Sequence, residues 1–186
     1  RPLLDDDFVS DVLKVWPERE PVQRLDPAAF DAVYEAYRAR VFSFVLRLGG
    51  ERALAEDVMQ DTFVRLAERA ARLAPDTDLR AWLFTVARNR FLDRRRRMLF
   101  RGRTLSALPL AATTGPTPFD RLEQSELAAR VQRALSALPA DQREAVLLCS
   151  VEGFTPAEAA SIAGVSPATL RKRLSRGRQA LRKLIR

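Results

Sequence analysis

Thr155-Pro156-Ala157-Glu158-Ala159-Ala160-Ser161-Ile162-Ala163-Gly164-Val165-Ser166-Pro167 contains two helix starts in one short stretch. Thr155 and Glu158 have the spacing of a capping box, in which a hydroxyl and a carboxylate each take an orphan backbone N–H, and Pro156 presets φ for the first helical position. Ser166-Pro167 repeats the signal. Between the two starts, Ala159, Ala160 and Ala163 keep the first helix thin, Ile162 supplies its buried contact, and Gly164 can turn the chain with positive φ. Leu170 and Leu174, at i and i+4, return the second helix to a core. The stretch therefore predicts a helix-turn-helix. Ser166, Ala168, Thr169, Arg171, Lys172, Ser175 and Arg176 then fall on the start and outer face of its second helix. A helix entering the major groove touches base edges with its N-terminal turns, so these seven are the candidate contacts to duplex DNA, Arg171 and Lys172 first. From Arg171 to Arg186 there are eight basic residues and no acidic one, which predicts steeply salt-dependent binding. A solvated basic helix is the plainer reading of a charge run, but two capped helices around a glycine turn weigh against it.

The rest of the chain agrees with a polyanionic partner. Among 186 residues, 32 are basic and 24 acidic, for a net charge of +8, and 47% are apolar, enough for a folded core. Residues 1–27 carry −3, so the remaining chain carries +11. There is no histidine, which removes His-dependent zinc sites, triads and general bases, and Cys149 is a lone cysteine in an apolar run. The expectation is a non-enzyme with no catalytic residues, no metal and no cofactor, in a reducing cytoplasmic setting. No apolar stretch approaches the roughly 20 residues that cross a bilayer, so no membrane insertion is expected.

Helical periodicity runs through nearly all of the sequence, which predicts an all-α protein of two small helical domains joined by a flexible linker. The predicted divisions are an acidic extension at 1–27, a three-helix domain at 28–100, a linker at 101–120 and the helix-turn-helix domain at 121–186. Leu4, Phe8, Val12 and Trp16 would line one side of a short helix in the extension, either packed on the body or serving as a partner-binding or masking arm. A helix from Pro27 ends at Gly49-Gly50, a second runs from about Leu54 to Leu73, and a third begins near Leu79 after a turn with capping carboxylates. Gly102, Pro109, Gly115, Pro116 and Pro118 mark the linker.

Two faces of the first domain are chemically distinctive. Asp57, Gln60, Asp61 and Val64 share one side of the second helix at spacings of three and four. Spacing alone leaves open a solvated face or a contact surface, and apolar Val64 among polar neighbours favours contact. The third helix interleaves Trp82, Phe84 and Phe91 with Arg80, Arg88, Asn89 and the run Arg94-Arg95-Arg96-Arg97. Such mixing suits stacking on unpaired bases and neutralising their phosphates; Phe91 is expected in the core, and Trp82 exposed.

Ala55-Glu56-Asp57-Val58-Met59-Gln60-Asp61-Thr62-Phe63, Leu79-Arg80-Ala81-Trp82-Leu83 through Ala87-Arg88-Asn89, Leu138-Pro139 and the helix-turn-helix occur in an order that resembles the extracytoplasmic-function (ECF, group IV) sigma factors of bacterial RNA polymerase, in the sigma-70 family. The resemblance implies a region 2 at 28–100 that binds the β′ clamp helices through Asp57, Gln60, Asp61 and Val64. It implies −10 element contacts from Asp76, Trp82, Arg88, Asn89, Arg95 and Arg96. The C-terminal domain would be region 4, reading the −35 element and meeting the β flap. The implied partners are core RNA polymerase, promoter DNA and an anti-sigma protein that masks the factor. The recognition helix departs from the usual pattern at Pro167-Ala168-Thr169-Leu170-Arg171-Lys172-Arg173, so base-by-base readout does not carry over. A stand-alone dimeric helix-turn-helix regulator is the alternative; a nucleic-acid-processing enzyme lacks a phosphate loop or carboxylate cluster.

Overall fold

The computed structural model describes residues 27–74, 76–102 and 126–185. The acidic extension with its Leu4, Phe8, Val12, Trp16 stripe, residues 103–120 of the expected linker and residues 121–125 of the expected second domain lie outside the described residues. Among these residues all regular structure is helical.

Helix α1 spans Pro27–Gly49 and buries Val41, Phe44, Val45 and Leu48 along one stripe. Gly50 ends it with φ 78°, its N–H bonded to the Leu46 carbonyl at 2.6 Å. Gly49 is required for packing: a Cβ there would stand 2.5 Å from Cε2 of Phe91. Helix α2 spans Arg52–Arg69 and buries Leu54, Ala55, Val58, Thr62, Phe63 and Leu66. It stops short of the expected Leu73, because Ala70–Arg72 tighten into a 3₁₀ turn. Buried Thr62 is satisfied locally, its hydroxyl donating to the Val58 carbonyl at 2.7 Å. Helix α3 spans Leu79–Gly102, capped by the Asp78 carboxylate, which accepts the Ala81 N–H at 3.0 Å. Its Leu83, Phe84, Ala87 and Phe91 complete the first core.

Helices α4 (Glu126–Ser136), α5 (Ala140–Val146), α6 (Pro156–Ala163) and α7 (Pro167–Leu184) form the second domain. A π-helical turn at Leu147–Val151 extends α5. Both halves of the capping box form: the Thr155 N–H donates to the Glu158 carboxylate at 2.9 Å and Glu158 N–H to the Thr155 hydroxyl at 3.3 Å. Gly164 adopts φ 65°, and the Ser166 hydroxyl accepts the Thr169 N–H at 3.2 Å. Each such cap contributes about 1 kcal/mol. Leu170, Leu174, Gly177 and Leu181 face inward from α7. At Gly177 a Cβ would meet Val146 Cγ2 at 2.7 Å and the Gln142 carbonyl at 3.0 Å, so a bare backbone lets α5 and α7 cross closely.

The two domains dock on one another, which the linker composition did not foretell. Phe154 packs edge-on against Phe84, centroids 5.3 Å apart, while the Arg80 guanidinium lies 4.1 Å from its ring centre. Arg40 pairs with Glu152 through Nε at 3.2 Å and Nη2 at 3.0 Å. Arg88 Nε meets Glu144 Oε1 at 2.6 Å. Arg143 donates to the carbonyls of Leu48, Ser136 and Leu138 at 2.9, 2.8 and 3.0 Å, tying the end of α1 to the α4–α5 turn. Burial pushes the Glu152 carboxyl up and the Arg40 guanidinium down from their usual ranges, and each partner opposes the other's shift. Such a pair adds little net stability, whereas stripping one member leaves a charge that must rehydrate.

Candidate nucleic-acid interface

On α7 the exposed face is the predicted one. Ala168, Arg171, Lys172, Ser175 and Arg176 are exposed, and Thr169 is half-buried. Ser166 is exposed but its hydroxyl is engaged: it caps α7 and lies 2.9 Å from the Thr169 hydroxyl. Both side chains therefore first orient the helix start, and offer DNA only their remaining hydrogen-bonding capacity. Two other basic residues of α7 hold it in place, Arg173 on Asp141 at 3.3 Å and Arg178 on the Ser150 hydroxyl at 3.1 Å. The helix thus has a buried leucine stripe, a braced flank and an open cationic face, the arrangement a groove-reading helix needs.

The six candidates of the first domain, five on α3 and Asp76 in the turn before it, do not form one surface. At 100° per residue, Trp82, Asn89 and Arg96, seven apart, share a stripe, while Arg88 and Arg95 share another turned toward the second domain. Asn89, Arg95 and Arg96 are exposed. Arg88 is engaged with Glu144, and also reaches the Asn89 amide oxygen at 3.3 Å. Trp82, expected exposed, is partly buried and packs against the core. Asp76 is exposed in the turn before α3, where the Thr77 N–H bonds the Ala74 carbonyl at 3.0 Å. Phe91 is core, 1% exposed, as its spacing predicts.

Asp57, Gln60, Asp61 and Val64 do lie together on α2. Asp57, Gln60 and Val64 are exposed, Val64 at 55%, and Asp61 is half-exposed. An exposed valine beside two carboxylates makes this an uncovered surface of mixed character. Arg94 reaches across from α3 to both acids, Nη1 to Asp57 Oδ2 at 2.7 Å and Nη2 to Asp61 Oδ2 at 2.8 Å. These hydrogen bonds and charges hold its guanidinium above its already high ordinary range.

Sequence reasoning missed Arg40, Glu144, Glu152 and Phe154 and read Arg80 only for unpaired bases and their phosphates, whereas all five join the domains. Burial of Cys149 raises its thiol to about 11, so it stays protonated and is not a nucleophile at neutral pH. Among the described residues no group of acids and cysteines could hold a metal ion, and no helix is long and apolar enough to cross a membrane.

Known proteins connect the two faces. Residues 33–98 match Sigma-70 region 2 and residues 128–181 match Sigma-70 region 4. The chain is 36% identical over 159 residues to the ECF RNA polymerase sigma factor SigE of Mycolicibacterium smegmatis, covering 83% of this chain and 60% of that relative's length. It is 33% identical over 157 residues to the RNA polymerase sigma factor CarQ of Myxococcus xanthus, covering 84% of this chain and 89% of that one. Among solved structures, the sigma factor RpoE of Bartonella quintana, crystallised with the anti-sigma factor NepR, overlays with a TM-score of 0.70 at 28% identity, over 84% of this chain and 96% of the other. With both region matches in order and relatives of this similarity along most of its length, the chain belongs to the ECF sigma factors of the sigma-70 family.

Proposed function

We propose that this sigma factor works in the cytoplasm and binds core RNA polymerase through the Asp57, Gln60, Asp61, Val64 face, with region 4 meeting the β flap. It reads the −35 element with the α7 face of Ala168, Thr169, Arg171, Lys172, Ser175 and Arg176, started by Ser166. Asp76, Trp82, Arg88, Asn89, Arg95 and Arg96 serve the −10 element and its opening. The chemistry of transcription stays with the polymerase. An anti-sigma protein completes the set of partners, a reading supported by the NepR-bound relative from Bartonella quintana.

The observation that carries this reading is the cationic face of α7, open while its leucines are buried and its flank is braced. Separate Arg171→Ala and Lys172→Ala variants test it, with holoenzyme affinity measured on native and scrambled −35 sequences over a range of salt. Removing a side chain that reads a base is expected to cost about 1–3 kcal/mol, roughly 5- to 150-fold, on the native sequence only. Removing one that neutralises a phosphate weakens both sequences alike and lowers the salt slope by about 1. If neither variant changes affinity on either sequence, α7 is not the −35 reader.

A further inference from the structure

The run Arg94-Arg95-Arg96-Arg97 looks uniform in sequence, yet its first member is turned away from the rest. Arg94 continues the stripe of Ala87 and Phe91 on α3, the side that packs on α2, and it bridges two carboxylates a helical turn apart. Asp57 and Asp61 are like charges at i and i+4, which repel and scatter their rotamers when alone. The guanidinium fork takes Oδ2 of each from a separate nitrogen in one fixed plane, whereas an ammonium would have to reach both from a single atom. Among the described residues only Oδ2 of each acid is hydrogen-bonded, which leaves the Oδ1 atoms to a partner beside exposed Val64. We propose that Arg94 is a positioning residue of the polymerase interface, fixing the Asp57 and Asp61 carboxylates for a cationic partner side chain, and is not a DNA contact. This rests on the reading of the acidic face given above.

The test titrates labelled full-length factor with core polymerase, and separately measures −10 DNA binding by preassembled holoenzyme. Arg94→Ala is expected to weaken core binding about 10-fold, with Arg94→Lys intermediate, while saturated holoenzyme binds DNA as the native one does. Arg95→Ala and Arg96→Ala should show the reverse. Asp61→Asn should cost less in the Arg94→Ala background than alone, a coupling that a merely structural role would not give. If Asp57→Asn with Asp61→Asn weakens core binding but Arg94→Ala does not, Arg94 positions nothing. If the aspartate pair itself proves neutral, the reading of the acidic face fails first.

Discussion

Replacing Asp57 and Asp61 together by asparagine is expected to lower affinity for core polymerase about 100-fold, because removing a charge from a desolvated, hydrogen-bonded pair costs about 2–5 kcal/mol. The substitution is nearly isosteric, and the acids are largely exposed in the free factor, 58% and 40% by side chain. Their pairs with Arg94 therefore contribute about 1 kcal/mol or less to folding, and the melting temperature should hardly move. Titration of core polymerase beside a thermal melt separates the two effects. Weaker binding with an unchanged melt identifies a contact surface; unchanged binding returns Asp57 and Asp61 to an ordinary solvated face.

Phe84→Ala should have the largest effect on stability. The ring is fully buried, edge-on to Phe44 at 5.2 Å and to Phe154 at 5.3 Å, so it belongs to the core of region 2 and to the seam between the domains. Truncating a buried phenylalanine costs about 3–5 kcal/mol through forfeited transfer energy and the cavity left behind. Denaturant unfolding of the variant should show the drop, accompanied by weaker seating of Phe154 and Arg80. A change under about 1 kcal/mol would mean that the seam is open in solution and the site collapses around the missing ring.

What was legible beforehand was whatever depends on neighbours in sequence. The Thr155–Glu158 box, the Ser166 cap, the Gly164 turn and the Leu170, Leu174 stripe are set by spacings of three and four, and each formed as read. The same holds for Phe91 in the core and for the shared face of Asp57, Gln60, Asp61 and Val64. The seam was illegible because Arg40 and Glu152 are 112 positions apart, and Arg88 and Glu144 are 56 apart. No periodicity links such residues; burial alone tells Glu152 from any surface glutamate. Arg94 was hidden among identical neighbours, and only the 100° step of the helix sends it to α2 while Arg95 and Arg96 turn elsewhere. Trp82 misled because aromatics beside arginines on a helix suit either stacking on bases or packing on the core, and here the ring is partly buried against the core.

One chain thus couples a region 2 proposed to bind polymerase to a region 4 proposed to read the promoter. That coupling is tested most directly by transcription in vitro with purified core polymerase, on a template bearing −35 and −10 elements, with and without this factor. The expected result is a discrete transcript that needs both the factor and core, and that disappears when either element is scrambled or when Asp57 and Asp61 are both replaced. Tight, specific binding to a palindromic site by a free dimer, with no affinity for core and no transcript above core alone, would contradict it.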